Sequence, residues 1–271
     1  MRRNKRKWRA DRVGEDEWML VEPKEVDDIY EEFEMGWTFF DSRKLDEAEK
    51  MLGEVVESAP THIDALHHLA IIMDRKGRKE KARELWENAV EAGRDALPNE
   101  FKSGHRLDWG FLENRPFLRA LHGLATFIFH EDEDIETALE IYEEIISYNP
   151  TDNQGIREIL VELYLHQDEL DKCIELCERY PGDILAGTAY GYPLALFKKG
   201  KREKATEELK KAIKSLPKVA KELLKEEHEM PETDRPGYIT MGGWDQAYEY
   251  WLRYGEYWRK GELEWLETAL S

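Results

Sequence analysis

The chain has only two cysteines in 271 residues, too few for a disulfide framework, which points to a reducing compartment. It has no apolar run approaching the roughly 18 residues that a membrane span needs; Leu124–Phe129 is among the longest. The basic N-terminus runs into the acidic Gly14-Glu15-Asp16-Glu17 rather than an apolar segment, so it does not read as a signal peptide. Also missing are a Gly-rich phosphate loop ending in Gly-Lys-Ser/Thr, a Gly-x-Gly-x-x-Gly and a His-Glu-x-x-His. These absences give the expectation of a cytoplasmic chain that is not an enzyme and carries no cofactor or metal. Cys173 and Cys177 stand one helical turn apart. A zinc site needs four ligands and there is no second cysteine pair, so both are expected to pack in a core.

What the chain does have is a period. Gly36 and Ala70, Ala48 and Ala82, Leu52 and Trp86, and Val55 and Ala89 each lie 34 residues apart. Small residues in fixed phase at that spacing mark stacked helix–turn–helix units, none of which can bury its apolar face alone. The first unit, 29–62, puts Gly36 where its two helices cross and Ala48 where the second packs back on the first. The second unit is 63–96. From Ala82 to Ala138 the gap is 56, so residues 97–118 are an insertion before a third unit at 119–152. A fourth, 154–183, ends early at Tyr180-Pro181-Gly182, and a fifth, 186–219, contains Pro193, which is expected to kink or delay its first helix.

The small-residue, aromatic and proline positions of 29–219 resemble the tetratricopeptide repeat (TPR) family. The resemblance implies an all-α fold: a right-handed superhelical solenoid of about five TPR-like repeats, with no sheet. We divide the chain into a basic N-terminal tail and lead-in (1–26), the repeat array (27–219) and aromatic-rich C-terminal capping helices (220–271). Residues 216–266 are also similar to the C-terminal part of a eukaryotic suppressor-of-tumorigenicity family, through Pro217-Lys218-Val219, Leu223-Leu224, Trp258 and Glu262-Leu263-Glu264.

The resemblance further implies a protein–protein adaptor or scaffold that holds a partner peptide or helix in a concave groove lined by the first helix of each repeat. In the first repeat Tyr30, Phe33, Trp37 and Phe40 recur at helical spacing on a face other than the one that carries Gly36. The matching positions further on include His67, Ile71 and Phe127. An ordinary core, covered by the insertion or by residues 13–21, is the alternative for these aromatics. Arg115 and Arg119, one turn apart, are the polar binding candidates, with salt bridging as the alternative. The insertion, with Phe101, Leu107, Trp109, Phe111 and Leu112, either braces the repeats or fills the groove.

Charge bears on the partner. Residues 2–12 hold seven Arg or Lys against Asp11, a net +6, which leaves −25 on the rest of a chain whose total is −19. A partner segment both apolar and basic suits that body. The tail, which carries Trp8, fits the same description and is expected either to extend into solvent or to dock in the groove. Contact of the tail with nucleic acid is the alternative function, disfavoured because the acidic body repels phosphates. Residues 237–265 hold nine Trp or Tyr on two helical stripes. Trp244, Tyr248, Trp251 and Trp258 are expected to bury against the fifth repeat. Tyr250, Tyr254 and Tyr257 are then left for a partner or a homo-oligomer.

Overall fold

The computed structural model describes residues 7–232 and 238–270. Residues 1–6 of the basic tail and 233–237 of the loop before the last helices lie outside them. Among the described residues are fourteen α-helical segments and one two-stranded sheet. Contacts divide the chain into two compact units, 1–154 and 155–271.

The first unit opens with β1 (Arg9–Arg12) and β2 (Trp18–Val21), paired antiparallel with Ala10 opposite Leu20. This sheet was not expected. Ala10, Trp18 and Leu20 are buried while Arg9, Asp11 and Arg12 face out, the period-two alternation of a half-covered hairpin. A lone hairpin is marginal in water. Here the Ala10 N–H donates to the Ala96 carbonyl at 2.9 Å, and Trp18 packs on Phe101 and His105 of the insertion. Trp8 is buried and its indole donates to the Thr61 carbonyl at 2.6 Å. A tail lying free or in the groove is therefore corrected for residues 7–12: strand pairing fixes where Trp8 can reach.

A single turn, α1 (Lys24–Asp27), leads into three helical hairpins: α2 (Tyr30–Asp41) with α3 (Leu45–Ser58), α4 (Ile63–Arg75) with α5 (Lys79–Asp95), and α6 (Arg115–Phe127) with α7 (Ile135–Tyr148). The second unit holds α8 (Ile156–His166) with α9 (Leu170–Glu178), and α10 (Ala186–Lys198) with α11 (Arg202–Ser215). It continues through α12 (Pro217–Leu223), α13 (Trp244–Tyr254) and α14 (Lys260–Leu270). α10 runs through Pro193, and the expected delay is not found.

The same local chemistry closes all five hairpins. Arg43, Gly77, Glu133, Asp168 and Gly200 take the left-handed conformation at the turn, with φ of 59°, 73°, 55°, 57° and 78°. Four of these turns add a bond from the next N–H back over five residues, as in Lys44 to Phe39 and Lys201 to Leu196, both 2.9 Å, which satisfies a carbonyl at the helix end. Five residues after each left-handed residue comes the small side chain of the second helix: Ala48, Ala82, Ala138, Cys173 and Ala205, all fully buried. Cys173 is thus the fourth repeat's counterpart of an alanine. Gly36 marks the close crossing of α2 and α3, since a Cβ there would meet Leu52 Cδ2 at 2.8 Å. In the third repeat, where Thr126 replaces a small residue, its hydroxyl bonds to Tyr142 Oη at 2.9 Å.

The insertion is non-helical from 96 until a 3₁₀ turn at Leu112–Asn114, and residues 115–118 already belong to α6. It braces and does not fill a groove. Leu107 is fully buried and donates to the Tyr148 carbonyl at 2.8 Å. Asn114 is the latch: its side-chain oxygen accepts from Leu20 N–H at 2.9 Å, and its amide donates to the Trp18 and Asp108 carbonyls at 3.0 and 3.1 Å.

In the second unit the two aromatic stripes differ in part from expectation. Tyr250 and Tyr254 are buried, stacked on each other at 4.6 Å, and Tyr254 Oη donates to the Glu158 carbonyl at 2.7 Å. Trp244 is instead 40% exposed beneath the ammonium groups of Lys218 and Lys225. Trp258, buried as expected, donates to Tyr250 Oη at 2.9 Å. The expectation of a homo-oligomer contact is corrected for Tyr250 and Tyr254, whose hydroxyls are buried with hydrogen-bond partners inside the unit.

Candidate functional site

The first helices of the second and third repeats, α4 and α6, run side by side, and between them lies a cavity of ≈620 Å³. Its lining includes His67, Ile71 and Asp74 of α4, Trp86 of α5, and Arg119, His122, Thr126 and Phe127 of α6. Of the nine residues singled out in the sequence, His67, Ile71, Arg119 and Phe127 meet here. Gly123 lets the walls close on Trp86, because a Cβ there would meet the indole nitrogen at 2.4 Å.

Helix register orders the trough along its length. One end holds Arg119, whose guanidinium donates to Asp64 Oδ2 at 2.6 Å. The other holds Asp74 and Glu131, which share Lys79 at 2.7 and 2.9 Å. Ten residues of α4 separate Asp64 from Asp74, about 15 Å at 1.5 Å per residue. The floor is apolar: Trp86 and Phe127 lie 5.4 Å apart between ring centres.

The imidazoles give the floor a fixed pattern of hydrogen bonding. His67 Nδ1 accepts the Trp86 indole N–H at 3.1 Å. An indole nitrogen can only donate, so the neutral ring carries its own proton on Nε2. No acceptor among the described residues takes that proton. Burial holds His67 well below the usual histidine range and also lowers His122, so both rings are neutral near pH 7. Arg119 Nε is likewise buried without a hydrogen-bond partner among the described residues.

The other five candidates lie elsewhere. Phe33 is 8% exposed and packs on His62 at 4.6 Å, and Phe40 meets the His68 ring at 5.1 Å under the Arg75 guanidinium. Tyr30 and Trp37 stay 59% and 42% exposed. One apolar face of α2 therefore divides in two, because positions three residues apart differ by 60° around a helix, enough to turn one pair toward α4. Arg115 is taken up by the insertion: Nε donates to the Trp109 carbonyl at 2.9 Å and the guanidinium lies over the Trp109 ring. Arg119 forms the salt bridge that was its alternative reading. Sequence reasoning passed over His122 and assigned Trp86 to packing alone. The signal for Trp86 was His67 at the groove position, a buried imidazole that needs a donor.

Five hairpins with one turn geometry and a trough between first helices define an all-α repeat protein of the tetratricopeptide type. The chain belongs to the family described as "Transcriptional repressor TCF25", whose model matches residues 38–271. Residues 216–266 lie within that match. No individual curated protein matches. Among solved structures, one of MamA (AMB-1) aligns with a TM-score of 0.50 and 16% identity, covering 70% of this chain and 91% of that one. Another, YrrB, described as a TPR protein with an unusual peptide-binding site, aligns with a TM-score of 0.49 and 19% identity over 71% and 92%. At such identity the MamA likeness is one of fold alone.

Proposed function

We propose that the chain is a protein–protein adaptor, not an enzyme, that holds a partner peptide or helix against the α4–α6 trough. The observation that carries this reading is the trough itself: an apolar floor of Ile71, Trp86 and Phe127, with uncharged histidines set into it. Such a surface offers burial and a few placed hydrogen bonds, which is what recognition of a polypeptide segment needs. The exposed Tyr30 and Trp37 of α2 offer further apolar contact in the same unit. The family's description as a transcriptional repressor supports a partner among proteins that act on transcription.

The description also favours a second reading, nucleic-acid contact through the basic N-terminal residues. A photo-crosslinking amino acid placed at Ile71, with Glu84 on the outer face of α5 as the control, separates the two in cells. The adaptor reading expects a crosslinked polypeptide from position 71 and not from 84. Nuclease-sensitive crosslinks that vanish when residues 1–12 are deleted, with none to protein at 71, would instead favour nucleic acid. Imaging the same tagged chain decides between the cytoplasm, expected from the sequence, and the nucleus, where a repressor would act.

A further inference from the structure

The two ends of the trough differ in charge, and the differences reinforce one another. At the Arg119 end the cation and Asp64 neutralise each other. At the other end Asp74 and Glu131 line the trough, and Asp132, Glu133 and Asp134 follow Glu131 in the chain. Among the described residues Lys79 is the single cation bonded to both Asp74 and Glu131, while Arg83 is bonded to Asp132 at 2.9 Å and Asp134 caps α7, accepting from the Thr137 N–H at 3.1 Å. The C-terminal ends of α4 and α6 point the same way, and the partial negative charge of a helix C-terminus adds to the carboxylates. Between the ends the floor is apolar, with a buried His67 whose Nε2–H has no acceptor among the described residues. At ≈620 Å³ the space falls within the roughly 300–1,000 Å³ of ligand pockets, enough for more than one side chain.

Resting on the adaptor reading, we propose that the trough recognises a partner segment in which a large apolar side chain is followed, one helical turn away, by Lys or Arg. The apolar side chain lies on Trp86 and Phe127. A carbonyl oxygen beside it accepts from His67 Nε2–H. The cation sits by Asp74 and Glu131, where it completes the charge that Lys79 only partly balances. An acidic residue at the same place meets the uncompensated carboxylates and is rejected, so the trough selects by repulsion as well as attraction.

The test is fluorescence anisotropy of the full chain with three pools of end-capped synthetic decapeptides. All pools carry Leu, Phe or Trp at one central position and differ three and four residues later, where they hold Lys/Arg, Gln or Glu. The Lys/Arg pool should bind at least about tenfold more tightly than the Glu pool at low salt, with the gap closing as salt is added. In the Asp74→Asn, Glu131→Gln double variant the gap should fall to about threefold or less. Ile71→Lys should abolish binding of every pool while leaving the melting temperature unchanged. Should that variant fail to fold, Glu131→Gln alone, at an exposed position, still has to narrow the gap. Equal binding of the three pools, or no binding by any, overturns the proposal. If polypeptide is still crosslinked at position 71, the adaptor reading survives that result and only the charge selection falls.

Discussion

The Trp86 indole donates its proton to Nδ1 of His67 at 3.1 Å, from one helix of the second repeat to the other. That single bond decides which nitrogen of a buried histidine faces the trough, and it couples the packing of α4 and α5 to the chemistry of the site.

Trp86→Phe keeps most of the ring but leaves His67 Nδ1 unpaired, and we expect a loss of about 1–3 kcal/mol in urea denaturation. Gly123→Ala should cost about the same, because the new Cβ meets the indole nitrogen. Combined, the two should cost less than their sum, since the phenyl ring lacks the atom that clashes. Strict additivity would show that Trp86 and Gly123 do not share a contact.

Stability should fall in mild acid. Burial lowers His62 to about 4, and lowers His67, His68 and His122 as well. The unfolded chain takes up protons as pH drops through about 6.5, whereas the folded chain resists until far lower, so unfolding binds protons in between. The contribution is complete above about pH 7 and is lost from there toward pH 4, with His62 alone accounting for about 2 kcal/mol between pH 6.5 and 5. Protonation also removes a helix cap, since His62 Nδ1 accepts from the Ala65 N–H at 3.3 Å. His62→Asn, which keeps a capping acceptor but does not titrate, should flatten the profile. A stability unchanged between pH 7 and 5 in the unaltered chain would refute this account.

The hairpin turns predict substitutions of opposite sign. Gly77→Ala and Gly200→Ala force a Cβ into the left-handed region and should each lose about 1 kcal/mol. Arg43→Gly, at the equivalent turn, should gain up to about 1 kcal/mol, the relief of strain being partly offset by the greater freedom of the unfolded chain. Thermal melts of the three variants check the order.

Asn114→Ala removes two hydrogen bonds that join the insertion to β2 and a third, to the Asp108 carbonyl, within the insertion. The buried Leu20 N–H and Trp18 carbonyl lose their partner, so we expect a loss of at least about 2 kcal/mol. Amide exchange should quicken first over residues 9–21 and 105–114. Uniform quickening along the whole first unit would show that the latch is part of the general core instead.

The sequence by itself determined the repeat. The 34-residue spacing of Ala48 and Ala82, the 56-residue step to Ala138 and the small Cys173 reflect contacts within one hairpin, and local contacts leave a local pattern. It also brought His67, Ile71 and Phe127 forward, because helical phase carries over from repeat to repeat, and Arg119 as a polar residue one turn from Arg115. Only the tertiary structure decided which of two apolar faces is covered. On α2 it turned Phe33 and Phe40 toward His62 and His68 and left Tyr30 and Trp37 outside, and on α13 it buried the tyrosines and not Trp244. Periodicity says that a face is apolar but not what lies opposite it. The Asn114 latch and the Trp86 to His67 bond were hidden for the same reason: each joins residues far apart in the chain or on different helices, and a hydrogen bond of that kind leaves no spacing to read.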